Sequence, residues 1–224
     1  MSNGVRLRFS KGDPVRFLSH LDVLRTIERA IRRSKLPIAY SEGFHPKQKI
    51  AFAHALPVGV TSKAEYMDLQ MNKSVSGIEV QEALNTVLPP GFRISDSAML
   101  PERTASLMSI VKAATYRLAF LKTVSFNGEE VVKQLLAAEQ LMVDRQTKKG
   151  IRRLDIRPMV YVLQWSDNCL YVQGACGSEQ NLRPTEISSL LTVAASDVLV
   201  ERIELLVPDV NGKWVTPLDV VKEL

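Results

Sequence analysis

Apolar and polar positions alternate strictly at the start of the chain. In GVRLRFSKGD, Val5, Leu7 and Phe9 share one face while Arg6 and Arg8 share the other, the period-two pattern of a half-buried strand. Gly12-Asp13-Pro14 breaks that pattern. The period then changes to that of a helix. In SHLDVLRTIERAIRRSK, Val23, Leu24, Ile27, Ala30 and Ile31 fall on one stripe, Ser19 stands where a cap belongs, and Asp22 follows three positions on, near the positive helix end. Arg25, Arg29, Arg32 and Arg33 lie opposite the stripe as one outward basic face. Repulsion along it costs about a few tenths of a kcal/mol per pair, and Glu28 relieves part of it. Next come a short strand over 37–40, the connection SEGFHPKQ, a strand over 49–54 and the alternating segment EYMDLQM. A second helix over 77–88 carries Ile78, Ala83, Leu84, Val87 and Leu88. It stops at Pro89-Pro90-Gly91, and a strand over 92–99 follows. The order β-α-β-β-α-β is compatible with a ferredoxin-like unit, with helices on one side of an antiparallel sheet.

A second cycle follows: a strand over 115–124, then a helix over 128–139 with Val131, Val132, Leu135 and Leu136 facing inward. The basic segment MVDRQTKKGIRRLDIRP leads into MVYVLQWSDNCLYVQGACG, two strands joined at Asp167-Asn168. A helix over 184–193 and a strand over 199–207 complete the pattern. The expected fold is therefore α+β: two ferredoxin-like α/β sandwich units with antiparallel sheets, at 1–105 and 113–224. The boundary falls within 100–113, where Pro101-Glu102-Arg103 interrupts the pattern. The halves share no clear sequence repeat, and no Gly/Ser linker separates them, so a single continuous body is the alternative.

The 224 residues are 46% hydrophobic and 24% charged, a globular balance that needs neither disulfides nor a structural metal to form a core. Cys169 and Cys176, the only cysteines, read as buried free thiols of a reducing cytoplasm; a disulfide or metal pair is the alternative. Neither a bilayer-length apolar stretch nor a signal-peptide pattern occurs, so a cytoplasmic protein without a membrane partner is expected. Charge changes the picture more. Residues 1–112 hold 16 Lys or Arg against 10 Asp or Glu, whereas 113–224 hold 13 against 14. The basic first half suits an acidic partner, nucleic acid foremost, with surface solubility as the bland alternative.

Candidate chemistry gathers at a few places. His20, in the first helical turn, can contact phosphate or exchange a proton near neutral pH, or simply join the cap network. His45 sits between Phe44 and Pro46, with Tyr40 before it and Lys47 and Lys49 behind. Phe44 either stacks on an unpaired base while the lysines hold phosphate, or plugs the hairpin. His54 follows Ala51-Phe52-Ala53 and reads as packed, and the three histidines have no metal-ligand spacing. Glu65 and Asp68 fall on opposite faces of a regular strand, a poor carboxylate pair. A second basic cluster, Arg145, Lys148, Lys149, Arg152, Arg153 and Arg157 against Asp144 and Asp155, carries a local +4, with Gly150 for a turn. It either embraces an RNA backbone or forms a solvated hairpin. In GSEQNLRP, Asn181 and Arg183 either orient a nucleotide phosphate or shape an ordinary loop.

The run RFLSHLDVLRTIERAIRRSKLPIAYSEGFHPKQKIAFAHALPVG, then SKAEYMDL, KKGIRRLDIRP and GSEQNLRPTEI, resembles a family of uncharacterised radical-SAM-linked proteins, in the expected order across both halves. The N-terminal resemblance is carried by Ser19-His20-Leu21-Asp22, Tyr40, Gly43-Phe44-His45-Pro46 and Glu65-Tyr66-Asp68. The C-terminal part is carried by Lys148, Lys149, Arg153, Asp155, Arg157, Asn181 and Arg183. His45 departs from the asparagine that many relatives carry there. Members of such a family occur beside or fused to a radical-SAM protein, which implies a role in RNA modification. An iron–sulfur cluster and S-adenosylmethionine would belong to that partner, because two cysteines cannot supply three clustered thiolates. Walker A, dinucleotide and HExxH motifs are absent from the sequence.

The expectation is a basic cleft between the Arg25/Arg29/Arg32/Arg33 helix and the 148–157 segment that binds structured RNA, tRNA or ribosomal RNA, for a radical-SAM partner. One alternative is an RNA-processing enzyme using His20 or His45 for proton transfer, assisted by Lys47 or Tyr40. Another is a scaffold whose positive surface meets an acidic protein.

Overall fold

A computed structural model of the chain describes residues 3–222 apart from 123, 148 and 192. The protein is mixed α/β, with mostly antiparallel strands and a few helices, and divides into two compact units. The first runs through Lys112 and resumes at Glu204; the second is Ala113–Ile203. Periodicity along the chain assigns everything after 113 to the second unit, yet the segment from Glu204 onward returns to the first.

In the first unit the elements are β1 (Gly4–Lys11), α1 (His20–Ser34), β2 (Ile50–Phe52), β3 (Thr61–Gln70), α2 (Gly77–Asn85), β4 (Phe92–Met99) and the short α3 (Leu107–Ile110). β1 is antiparallel to both neighbours, with Leu7 opposite Met67 of β3 on one side and Ser97 of β4 on the other. β2 pairs antiparallel with β3, Ile50 facing Leu69. The strand expected over 37–40 is reduced to two isolated bridges, Ile38 with Met71 and Tyr40 with Gln48.

Apolar side chains of β1 (Val5, Leu7, Phe9) and β3 (Met67, Leu69) meet Val23, Ile27, Ala30 and Ile31 of α1 and Val80 and Leu84 of α2 in one core. Both helices therefore cover the same sheet face. Each begins with a capping box: Ser19 accepts from the Asp22 amide while Asp22 bonds back to Ser19, and Ser76 and Glu79 repeat the arrangement. The serine hydroxyl, and then the serine amide, holds each carboxyl below the ordinary carboxylate range. α1 ends at Lys35, whose φ of 57° is left-handed.

The other face of β1 corrects the half-buried reading. Arg6 is 0% exposed. Its Nε and Nη2 donate to the two carboxylate oxygens of Asp68 at 2.8 and 2.9 Å, and its Nη1 donates to the Pro217 carbonyl at 3.0 Å. Arg8 donates to Glu204 at 2.9 Å, and Glu204 also accepts from the Tyr66 hydroxyl at 2.7 Å. Burial and then the Glu204 charge push the Tyr66 hydroxyl well above the ordinary phenol range, so it stays a donor. Arg6 is buried because residues that come some two hundred positions later lie over it. Within that returning segment are the Glu204–Pro208 part of β10 (Val198–Pro208), which hydrogen-bonds to β3, then β11 (Trp214–Val215) and α6 (Asp219–Lys222).

The second unit contains β5 (Ala113–Phe120), α4 (Gly128–Ala137), the separate ribbon β6 (Met142–Thr147) and β7 (Gly150–Asp155), β8 (Val160–Ser166), β9 (Cys169–Ala175), α5 (Pro184–Leu190) and the start of β10. β5, β9 and β8 pair antiparallel in that order. The β8–β9 turn places Asp167 and Asn168 at φ 51° and 55°, as a two-residue hairpin turn requires. Cys169 and Cys176 are buried and form no disulfide. Trp165 packs against Phe120 and Phe126, with ring centres 5.3 and 5.8 Å away, and α4 starts on its indole. A Cβ on Gly128 would lie 2.0 Å from that ring. Gly128→Ala is expected to destabilise the second unit by about 1–3 kcal/mol through this overpacking, read as a lowered midpoint in urea. An unchanged midpoint would mean that α4 can lift off the ring at no cost.

Candidate nucleic-acid interface

On the exposed side of α1 the wheel runs from Glu28 at one flank, through Arg32, Arg25 and Arg29, to Arg33 and Thr26 at the other. Each flank is bounded by another element. At the Glu28 side, Gln48 donates through Nε2 to the Glu28 carbonyl at 3.4 Å and stands 3.5 Å from the Tyr40 hydroxyl. Gln48 is the base of a hairpin that the Tyr40–Gln48 bridge closes. At the other side, Arg33 donates to the Val87 carbonyl just past α2. Arg29, Arg32 and Arg33 line a cleft of 420 Å³ together with Thr26 and Pro89. The side chains of Arg25 and Arg32 make no hydrogen bond or ion pair among the described residues. The outward basic face expected from periodicity is therefore a basic surface with a hairpin on one side and the α2–β4 connection on the other.

The hairpin itself is built to hold its tip in solvent. The Ser41 amide donates to the Lys47 carbonyl at 2.8 Å, and the Lys47 amide returns to Ser41 Oγ at 3.0 Å. Gly43 turns the chain at φ 115°, where a side chain would be strained. Phe44 is 100% exposed, and Glu42, His45, Pro46 and Lys47 are exposed beside it. Phe44 is thus no plug. An uncovered aromatic ring can stack on a planar base, and the exposed Lys47 and Lys49 that follow it in the chain can take phosphate charge.

The remaining histidines group differently. His20 meets Phe52 edge-on at 5.3 Å and lines a small cavity with Lys11, His54 and Glu65. It does not share the hairpin that carries Tyr40, His45 and Lys47. Lys11, which sequence reasoning misses, is 2% exposed and donates to the carbonyls of Arg16 at 2.9 Å and Leu18 at 3.1 Å. It thereby fixes the approach to the Ser19 cap. Its place at the end of an alternating strand is the one hint of this in the sequence. Glu65 and Asp68 face opposite sides of β3, as alternation requires: Asp68 holds Arg6, while Glu65 lines the His20 cavity.

In the second unit the local +4 is not a single surface. Arg145 is bound by Glu186 at 2.6 and 2.8 Å and donates to the Asn181 carbonyl at 3.0 Å. Arg157 donates to the carbonyls of Ala138, Val160 and Leu136, two of which close the end of α4. Arg183 reaches the Gln146 carbonyl at 3.4 Å, and Asn181 bridges to Cys176. Arg153 stands opposite Asp144 across the ribbon, and Arg152 opposite Arg145. Lys149, Arg152 and Arg153 are exposed, as is Lys49 in the first unit; Lys148 lies outside the described residues. Among the described residues no group of three His, Cys, Asp or Glu is placed to hold a metal ion, and no helix is long and apolar enough to cross a membrane.

No curated protein matches the chain. Among solved structures, one from the crystal structure of a Cbf5-Nop10-Gar1 complex is similar at 12% identity and a TM-score of 0.44. The likeness covers 99% of this chain but 54% of that one, so the chain spans about half its length. An unknown protein from Galdieria sulphuraria is similar at 14% identity and a TM-score of 0.30, over 90% of this chain and 99% of that one. Both likenesses are too distant to carry an argument about function. A family model described as an uncharacterized protein conserved in bacteria, DUF2344, matches residues 5–184.

Proposed function

We propose, for a chain that belongs to the DUF2344 family of uncharacterized proteins conserved in bacteria, that the first unit is an RNA-binding module. In this reading the protein is a cytoplasmic adaptor that holds structured RNA for a radical-SAM modifying partner. Any iron–sulfur cluster and S-adenosylmethionine belong to that partner. The ferredoxin-like architecture belongs to the same proposal, supported by the order β4-β1-β3 with α1 and α2 over one face.

The observation that carries the reading is the pairing of a wholly exposed Phe44 with an arginine face bounded by the hairpin that bears it. Arginines can track phosphates without reading sequence, and an aromatic tip can take an unpaired base from a loop or bulge. An adaptor needs no nucleophile, and Tyr66, buried and held protonated, supplies no base.

Phe44→Ala is expected to weaken binding of an RNA with an unpaired loop by about 1–3 kcal/mol, roughly 5- to 150-fold. Binding of a blunt duplex should hold, as should the melting temperature, because the ring lies outside the core. Fluorescence anisotropy with both RNAs measures this. Equal loss on the two RNAs, or none on either, would overturn the stacking role.

A further inference from the structure

We infer that the cleft between α1 and the end of α2 is a receptor for a terminal phosphate: a phosphomonoester at an RNA end. The inference rests on the RNA-binding reading above and assigns one place on that surface to one group.

Three guanidiniums, Arg29, Arg32 and Arg33, share the 420 Å³ cleft with Thr26 and Pro89, and no carboxylate lines it. Two of the three are held in place. The Thr26 hydroxyl gives its proton to the Asp22 carbonyl at 2.7 Å and accepts from Arg29 at 3.3 Å, while Arg33 is tied to the Val87 carbonyl. Each bond uses one N–H of a five-donor fork, so the remaining donors are preorganised for an anion. The Arg32 side chain has no hydrogen-bond partner among the described residues. Such cations in one concavity repel each other until an anion enters.

Charge selects which phosphate. A backbone diester brings about one negative charge and two free oxygens, too little for three guanidiniums. A monoester carries about −1.5 to −2 at neutral pH and offers three strong acceptor oxygens, each suited to a guanidinium. RNA is favoured over a phosphorylated protein because the same helix face carries Arg25 and is bounded by the hairpin that bears Phe44. An RNA end anchored at the Arg33 flank leaves the strand that follows it to cross the arginine face toward that hairpin.

The test uses the full chain and one RNA hairpin with an unpaired loop and single-stranded ends, in three forms: 5′-phosphate, 3′-phosphate and hydroxyl at both ends. One phosphorylated form is expected to bind at least about tenfold tighter than the hydroxyl form, and inorganic phosphate should compete with that form. Arg29→Ala and, separately, Arg32→Ala should erase the difference; two variants guard against one that misfolds. Equal binding of all three forms by the native protein overturns the inference. If the hydroxyl form is bound in that case, the RNA-binding reading still stands. Failure to bind any form overturns both. A phosphoserine peptide bound as tightly as the phosphorylated RNA overturns the assignment to RNA ends.

Discussion

Arg6→Ala lowers the stability of the first unit by about 3–5 kcal/mol, the range for removing one partner of a buried ion pair. The guanidinium is wholly buried, and its three donor contacts go to the two Asp68 oxygens and the Pro217 carbonyl. Alanine leaves a carboxylate and a carbonyl facing a cavity that they cannot satisfy. The side chain of Asp68 is 16% exposed, so some water reaches it and the lower end of the range applies. With whole-protein stability near 5–15 kcal/mol, such a loss is large. The two tryptophans fall one in each unit, Trp165 in the second and Trp214 in the first. Urea unfolding in a Trp165→Phe background therefore follows the first unit through Trp214. Asp68→Ala alone and combined with Arg6→Ala closes a cycle in which the double variant should lose less than the two singles together. Additive losses would mean that the pair is not coupled as its geometry requires.

Arg25→Glu with Arg32→Glu should reduce RNA affinity on the order of 100-fold near physiological salt and lower the slope of log K against log salt by about 2. Both side chains are exposed and make no hydrogen bond or ion pair among the described residues, so reversal costs the fold little. Lys149→Glu with Arg153→Glu should have a smaller effect, since Arg153 already faces Asp144. Filter binding across a salt series separates the two pairs. An unchanged slope in the α1 variant would remove α1 from the interface.

What can be read from sequence tracks the range of the interactions. α1 is legible because its signals are local: Ser19 and Asp22 three residues apart, and an apolar stripe whose Val23, Ile27, Ala30 and Ile31 are all buried. The Asp167-Asn168 turn is legible for the same reason. Phe44 stays open between stacking and plugging, since alternation does not reveal how far a hairpin projects. Arg6 reads as outward because its covering residue is Pro217, beyond any periodic signal. Arg145 looks like a free cation because Glu186 lies 41 residues away, and Arg157 because carbonyls leave no trace in composition. Charge counting thus finds the basic face of α1, where neighbours are sequential, and overstates the second cluster, where they are not.

The Pro217 carbonyl that covers Arg6 is encoded 211 residues after it. At ribosomal speeds of roughly 5–20 residues per second, β1 emerges about 10–40 s before that lid is made. Throughout this interval the nascent sheet has a wet arginine where its finished form is dry. Until the segment beginning at Glu204 leaves the exit tunnel, the second unit can mature ahead of the first, although it is translated later.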